Sequence, residues 1–251
     1  MKRLAIGAAG VALALIAAVL IYFNLIRSDA PDEFVLTEQT ETQTSESAAD
    51  DAGSTDETGS DSSASDTTEA ATVAPEPSLD GIWTVSHGSE AGYRVVEDLR
   101  GIQDFEAVGR TDQITGSIEI AGTAINAASF EVDVASIASD ESHRDGHFTG
   151  PVMNAEEFPT ATLTLLEPIA LGATPADGAA VAAEAVAELT LRGVTNQVSF
   201  PVDAQLLGDR IELVASIDVL FSDYGIDNPT NPVVTVRDEG KVEVRLLLSR
   251  G

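Results

Sequence analysis

Four side chains that could perform chemistry, two histidines, an arginine and an aspartate, lie close together in residues 142–159. His143 and His147 are four positions apart, so on a helix they would share one face and could bind a metal ion. Asp140 and Asp145 are the nearby candidates for further ligands, and neither makes a convincing third ligand. We therefore predict no metal site in this segment.

Catalysis would need more than this segment supplies. The tripeptide His143-Arg144-Asp145 also occurs in kinase catalytic loops, but the glycine-rich loop, the strand lysine and the DFG motif are missing from the chain. A hydrolase needs a nucleophile, a base and an orienting group that converge. The sequence contains neither a G-x-S-x-G motif nor a cysteine. We therefore predict a protein that is not an enzyme and that needs no cofactor.

The elements that must position residues 142–159 are β-strands. From residue 79 onward apolar residues recur at every second position, which is typical of half-buried antiparallel strands. These positions are Ile118 and Ile120; Phe130, Val132 and Val134; Leu163 and Leu165; Val198, Phe200 and Val202; Ile217, Val219 and Phe221; and Val242, Val244, Leu246 and Leu248. Turn signals separate them at Asp177-Gly178, Arg192-Gly193, Gly208-Asp209 and Glu239-Gly240. The pattern predicts a sandwich or an up-and-down barrel.

Residues 179–189 are rich in alanine, which favours a helix by intrinsic propensity. Their apolar side chains nevertheless alternate with Glu184, Glu188 and Thr190, and the alternation continues into residues that must form a strand. We predict a strand. Its small inward side chains would leave room inside a barrel.

In this setting residues 142–159, which we name the plug segment, close one end of the barrel, because strands end before them and resume at Thr160. Arg144 and Asp145 would make charge-assisted bonds that pin a short helix across the barrel end. The large apolar side chains of the segment, Phe148, Met153 and Phe158, would then point inward.

Composition excludes some functions. The 251 residues include 42 acidic and 13 basic side chains, a formal net charge of −29. No basic stripe is available for phosphates, so we predict no binding of nucleic acid. The lack of cysteine excludes disulfides and thiolate metal sites.

The chain divides into three parts. Residues 4–26 are apolar and uncharged and would span roughly 34 Å as a helix, enough for a bilayer. With Lys2 and Arg3 before them, we predict that residues 1–27 are a single-pass signal-anchor with a cytoplasmic N-terminus. The alternative is a cleaved signal peptide and a secreted protein. Residues 28–78 are acidic and rich in Ser and Thr, without Lys or Arg, and are predicted to be a disordered linker. Residues 79–251 form the folded, extracytoplasmic domain.

Seven pieces of this domain resemble motifs of the YceI family of lipid- or polyisoprenoid-binding proteins, in the order in which that family has them. They are Trp83-Thr84-Val85; Gly92-Tyr93-Arg94-Val95; residues 107–111 leading to Gly116; residues 130–137 followed by Arg144-Asp145; residues 158–163; residues 189–195; and Asp223-Tyr224-Gly225-Ile226.

The resemblance implies a lipocalin-like antiparallel β-barrel of about eight strands that holds a long isoprenoid or quinone-like chain. An eight-stranded barrel can either fill with side chains or hold one ligand. The expected polar rim is Arg144, Asp145 and His147, with Arg144 meeting the polar head. The expected apolar lining is Trp83, Val85, Tyr93, Phe130, Val132, Val134, Phe148, Met153, Phe158, Leu163, Leu189, Leu191, Phe200, Val219 and Phe221.

Two other functions remain open from sequence. A barrel filled by its own side chains would be a structural or adhesive module on a surface stalk. A metal-dependent enzyme would use His143 and His147. For Trp83 in particular, a core position with its indole N–H bonded is the alternative to a place in the lining.

Overall fold

Antiparallel strands follow one another around a closed barrel in the computed structural model, which describes residues 30–37, 78–98, 104–173, 175–230 and 234–251. The strands are β1 (Gly81–Val85), β2 (Glu90–Asp98), β3 (Asp104–Thr111), β4 (Ile114–Ala121), β5 (Ala124–Asp133), β6 (Thr160–Leu165), β7 (Ile169–Ala170), β8 (Ala180–Leu191), β9 (Val194–Leu207), β10 (Arg210–Leu220) and β11 (Thr235–Arg250). The described helical segments are a 3-10 turn at Val134–Ser136, the helix α1 (Ser142–His147), a π-helical turn at Phe148–Val152 and a 3-10 turn at Phe221–Tyr224.

The eleven strands make an eight-stranded barrel because two pairs act as single bent strands and the two-residue β7 pairs with β5 beyond the end of β6. Both β1 and β2 pair with β11, through Val85 opposite Leu248 and Glu90 opposite Arg245. Likewise β3 pairs with β2 while β4 pairs with β1. The barrel therefore runs β1/β2, β3/β4, β5, β6, β8, β9, β10 and β11, and the pairing of β11 with β1 closes it. The predicted all-β barrel with a short helical segment is confirmed.

One end of the barrel, which we name the closed end, is filled by large side chains. It is the end where the β4–β5 and β9–β10 turns lie. Trp83 is only 2% exposed, and its indole N–H donates to the carbonyl of Leu79 at 2.8 Å. Leu248 lies opposite Ile211, and Ile120 opposite Gly81, so their buried side chains join the same cluster. Trp83 is thus a core residue with its polar atom satisfied.

The strand prediction for the alanine-rich segment is confirmed. In β8 the residues at alternate positions, including Ala185, Ala187 and Leu189, are buried, whereas Glu184 and Glu188 are exposed. The segment pairs with β9 along its whole length. Cross-strand pairing and burial of one face override the helix propensity of alanine.

One predicted turn is wrong. Glu239-Gly240 lies inside β11, which continues to Arg250. The register of β11 against β2 shifts between Val236 and Gly240, so the glycine marks a bulge. A Cβ at Gly240 would lie 2.7 Å from the Val95 side chain, which explains why no larger residue fits. The turns at Arg192-Gly193 and Gly208-Asp209 link β8 to β9 and β9 to β10 as predicted, and Asp177-Gly178 precedes β8.

The predicted signal-anchor at residues 1–27 lies outside the described residues, as does most of the predicted linker. Across the parts of the chain that the structure describes, no helix is both long and apolar enough to cross a membrane. Residues 30–36 differ from the prediction, because they contact the barrel and belong to the same compact unit. Their contacts involve residues far away in the sequence, which local composition cannot reveal.

The close approach of β2 to β3 gives a test of the fold. A Cβ at Gly92 would lie 1.9 Å from the carbonyl oxygen of Gly109, a backbone atom that cannot move aside cheaply. We expect Gly92→Ala to lower the free energy of unfolding by at least about 2 kcal/mol, because overpacking forces the backbone to shift. Urea denaturation followed by circular dichroism measures it.

The matched control is Gly146→Ala in α1, where a Cβ would meet nothing within 4 Å. It should leave stability unchanged or raise it by up to about 1 kcal/mol, because alanine replaces glycine in a helix. Equal effects of the two substitutions would contradict the close strand approach.

Candidate functional site

A cavity of about 760 Å³ occupies the barrel interior between the closed end and α1. Its volume lies within the range of about 300–1,000 Å³ that is usual for small-molecule sites. The inward faces of the strands form its wall, and residues of the plug segment line its mouth. The floor is apolar and includes Ile118, Ile125 and Ile169, all of them buried.

Small side chains create this space. Ala128 and Ala161 line one side of the cavity, and Ala185, Ala187 and Ala215 line another. Ala187 is 1% exposed and Ala185 is 3% exposed, so the space beside them is internal to the barrel. At the closed end the same inward faces carry the large side chains of Trp83, Ile120 and Leu248, all of them buried.

Most of the residues predicted as lining do border the cavity. They are Tyr93, Phe130, Val132, Val134, Phe148, Met153, Leu163, Leu189, Leu191, Phe200, Val219 and Phe221. Their role in binding stays a prediction.

Three of the predicted lining residues lie elsewhere. Trp83 belongs to the closed end, and Val85 packs against the core cluster where it pairs with Leu248. The ring of Phe158 covers the β8–β9 turn, where a Cβ at Gly193 would lie 2.5 Å from it. Position along the barrel axis separates these residues from the cavity, and periodicity carries no information about that axis.

Further wall residues were missed by the sequence reasoning. Leu213, Ala215 and Ile217 on β10 line the cavity, as do Val242 and Val244 on β11. Their alternation could have identified them. The three residues on β10 share an inward face with Val219, and the two on β11 share one with Leu246.

The mouth is closed in part by an aromatic stack between β2 and the plug segment. The rings of Tyr93 and Phe148 stack with centroids 4.4 Å apart and an interplanar angle of 25°. Gly109 lies opposite Tyr93, and a Cβ there would be 2.5 Å from the tyrosine ring. The glycine therefore makes room for the ring. This pairing depends on strand register and could not be read from the sequence.

Arg144 and Asp145 both make charge-assisted bonds that hold the plug segment, and each has its own partners. The Arg144 guanidinium donates to Asp140 at 2.5 Å and lies 3.6 Å from the Glu97 carboxylate on β2. The Asp145 carboxylate instead accepts from the backbone N–H and the hydroxyl of Ser139, at 2.8 and 2.6 Å. Arg144 thus ties the segment to the barrel wall, and Asp145 ties it to its own preceding loop.

The start of α1 is capped by Glu141. Its carboxylate accepts hydrogen bonds from the backbone N–H groups of His143 and Arg144, at 3.0 and 2.8 Å. A carboxylate at this position satisfies donors that a helix leaves open and interacts favourably with the helix dipole. A helix of only six residues is held in place by this cap and by the contacts of Arg144 and Asp145.

The surroundings of Tyr93 oppose ionisation of its phenol. Burial raises the pKa of Tyr93, and the nearby carboxylates of Asp145, Glu97 and Asp140 raise it further. A hydrogen bond with Ser139 acts in the opposite direction and is weaker. The phenol at the mouth is therefore neutral throughout the physiological range.

The two histidines border the mouth but do not form a metal cluster. His143 and His147 both line the cavity entrance. Within the ranges that the structure describes, no group of three or more His, Cys, Asp or Glu side chains is placed to hold a metal ion.

The mouth carries more negative than positive charge. Four carboxylates line it, those of Glu97, Asp140, Glu141 and Asp227. The two lining cations are Arg144, bonded to Asp140, and Lys241, whose ammonium lies 3.0 Å from Glu33. Both cations are thus already engaged by carboxylates of the chain.

Residues 83–248 match the family model of the YceI-like domain. The chain belongs to the YceI-like family. The match covers all of the barrel except the first residues of β1 and the end of β11, so the resemblance drawn from the seven motifs is confirmed. A comparison with curated proteins gives no significant match.

The chain is similar to several solved structures. A polyisoprenoid binding domain from Saccharophagus degradans, implicated in plant cell wall breakdown, is 19% identical with a TM-score of 0.55, covering 68% of this chain and 98% of that chain. BcnA of Burkholderia cenocepacia is 18% identical with a TM-score of 0.48, covering 62% and 95%. A YceI protein of Campylobacter jejuni is 14% identical with a TM-score of 0.47, covering 57% and 84%.

The raised pKa of Tyr93 predicts a loss of stability in alkali. The folded state keeps the phenol protonated, whereas the unfolded chain ionises it near pH 10, so this stability is present below pH 10 and is lost as pH rises above it. The slope should approach about 1.4 kcal/mol per pH unit. Tyr93→Phe should flatten it.

Urea denaturation between pH 8 and pH 11 measures this slope. Tyr224, whose pKa is also raised by burial, should leave a smaller residual slope in the Tyr93→Phe variant. Identical slopes for the parent and for Tyr93→Phe would show that the phenol ionises freely in the folded protein.

Proposed function

We propose that the barrel binds a long apolar amphiphile, such as an isoprenoid, a quinone-like molecule or another lipid, inside the cavity. The observation that carries this proposal is the apolar cavity of about 760 Å³ behind the plug segment. Burial of a hydrocarbon chain gains about 0.8 kcal/mol per CH₂ group, so such a ligand needs no elaborate polar site. The protein acts by binding and not by catalysis.

The comparisons support the same ligand class. The Saccharophagus degradans structure is named as a polyisoprenoid binding domain, and it has the same fold. The alternative function, a structural or adhesive module whose barrel is filled with its own side chains, predicts no cavity of this size. The other alternative, a metal-dependent enzyme, needs a third ligand beside His143 and His147.

The proposed role is that of a carrier or a sequestering protein outside the cytoplasm. Residues 4–26 support a single-pass anchor, with Lys2 and Arg3 on the cytoplasmic side. A barrel tethered beside a membrane would take up a lipid from it, or shield the lipid from water.

The size of the cavity limits how much of the ligand it can hold. At about 30 Å³ for each group of the size of a water molecule, the cavity has room for roughly 25 such groups. A chain of about 20 carbons would occupy most of it. Affinity should therefore rise with chain length and then level off.

The mouth favours a head group without negative charge. Arg144, the residue expected to meet the head, is already bonded to Asp140 and lies beside Glu97. Four carboxylates line the same entrance, so an anionic head would be repelled. An uncharged alcohol or carbonyl head fits these surroundings better than a diphosphate.

The direct test is organic extraction of the purified fragment 30–251, followed by mass spectrometry, together with titration of a prenyl alcohol. We expect a co-purified lipid, or binding of the alcohol with a rise in melting temperature. The proposal fails if extraction yields no lipid and the alcohol neither binds nor raises the melting temperature.

A matched pair of substitutions on β8 tests whether the ligand binds inside the barrel. Ala187 lines the cavity, and Ala182 on the same strand is exposed. We expect Ala187→Leu to weaken binding of a 20-carbon prenyl alcohol about tenfold, because it displaces roughly two CH₂ groups at about 0.8 kcal/mol each. Ala182→Leu should leave affinity unchanged, and equal effects would place the ligand outside the barrel.

A second pair tests the plug segment. Arg144→Ala removes the link to Glu97 and should lower the free energy of unfolding by about 1 kcal/mol and speed ligand release several-fold. Arg237→Ala removes an exposed ion pair with Asp104 and should change stability by less than about 0.5 kcal/mol, with release unchanged. Stopped-flow release of a fluorescent lipid measures the rates. If Arg144→Ala changes neither quantity, the segment is not held by this arginine.

A further inference from the structure

A cluster of charged side chains lies buried on the outside of the barrel, on the outward face of β2, β3 and β11. Arg94 is 4% exposed and Glu243 is 2% exposed, with the Arg94 Nε atom 2.7 Å from the Glu243 carboxylate. Arg110 is 19% exposed and lies 3.6 Å from the other oxygen of the same carboxylate. Val108, opposite Arg94 and on the same face, is only 6% exposed. Outward positions buried to this degree must be covered.

Four consecutive residues of the N-terminal segment contact this face. The Pro31 carbonyl accepts from Arg94 at 2.8 Å, and the Asp32 carbonyl accepts from Arg110. The Arg110 guanidinium lies over the Phe34 ring, 3.8 Å from its centre. The Glu33 carboxylate lies 3.0 Å from the Lys241 ammonium.

Burial alternates along residues 34–36, so one face of the segment is turned towards the barrel. Phe34 and Leu36 are half-buried, whereas Val35 between them is 72% exposed. Phe34 is the only aromatic residue in residues 28–78. An arginine over an aromatic ring adds a directional attraction that other parts of this acidic stretch cannot provide.

Charge also distinguishes this face from the rest of the protein. It carries three cations, Arg94, Arg110 and Lys241, beside three carboxylates, those of Glu106, Glu243 and Asp218, the last lying opposite Lys241 on β10. The chain as a whole has a net charge of −29. This face is thus close to neutral in a strongly acidic protein, so it repels an acidic segment less than the rest of the surface does.

We propose that this face, which we name the clasp (Arg94, Arg110, Lys241 and Glu243), is a binding site for an extended acidic peptide with one aromatic residue. Its occupant is the chain's own residues 31–36. Docking in the clasp sets how far the barrel stands from residues 1–29. The proposal does not rest on what the cavity binds, although Lys241 also borders the mouth of the cavity.

The clasp can be filled by residues 31–36 or empty. These two states differ in the length of chain between the N-terminal residues and the barrel. With the clasp filled, residues 31–34 bind the barrel, so only residues 29 and 30 separate residue 28 from it. With the clasp empty, about 50 residues separate residue 28 from the barrel, a root-mean-square span of roughly 40 Å for a flexible chain. Docking in the clasp therefore shortens the stretch of chain that links residue 28 to the barrel, and release lengthens it.

Double electron–electron resonance on the full chain in mild detergent tests this directly. The chain lacks cysteine, so Val35→Cys and Glu119→Cys introduce the only two labelling sites; both positions are exposed. We expect a single narrow distance distribution. In the same labelled background, Phe34→Ser should broaden it by removing the ring under Arg110.

A charge exchange gives the matched control and a rescue. Glu33→Lys should lower the ratio of docked to undocked chains by up to about fivefold, the range of an exposed ion pair, and adding Lys241→Glu should restore it. Glu38→Lys makes the same charge change five residues later and should leave the distribution unchanged.

The proposal would be overturned by a broad distribution in the parent, by no response to Phe34→Ser, or by equal responses to Glu33→Lys and Glu38→Lys. A distance that disappears when labelled chains are diluted with unlabelled chains would also overturn it, because the occupant would then be the segment of a second copy.

Discussion

Strand β11 closes the barrel, and the rest of the structure depends on that closure. Along one edge it pairs with β10 from Arg210 to Leu220, and along the other it pairs with β2 and then with β1. Since β1 and β11 are the first and last strands in the sequence, these bonds join the two ends of the fold. Without them the sheet would keep two exposed edges, and its alternating faces would not be divided into an inside and an outside. Pairing between residues so far apart in the chain carries a loop-closure cost, which slows folding.

In the closed barrel the inward face forms a packed core at one end and a cavity towards the other. At the closed end Trp83, Leu248 and Ile120 fill the interior. Towards the plug segment the inward residues include Ala185, Ala187 and Ala215, and space remains. The same alternation of apolar and polar residues therefore produces a packed core and a ligand-sized cavity, and side-chain volume alone separates them. The stack of Tyr93 on Phe148 and the contacts of Arg144 close the space from the other side.

Strand β2 connects the cavity with the outer surface, because its alternate residues face opposite ways. Tyr93 and Glu97 meet the plug segment, whereas Arg94 bonds to Glu243 and to the Pro31 carbonyl. The Glu243 carboxylate is almost fully buried, so its two arginines are required to offset the loss of water. One strand thus carries both the mouth of the cavity and the clasp, and the position of the N-terminal segment is fixed beside the entrance.

The sequence by itself determined the strands, their inward faces and the family. Period-two alternation puts Phe130, Val132 and Leu189 on apolar faces, and these faces line the barrel interior. The same alternation correctly predicts that β8 is a strand, although its alanines favour a helix by propensity. Tertiary structure alone decided the rest. The bulge at Gly240, the separate partners of Arg144 and Asp145, the placing of Trp83 and Phe158 away from the cavity, and the docking of residues 31–36 all depend on register and height along the barrel. Those quantities are set by contacts between residues far apart in the chain, which a local pattern does not contain.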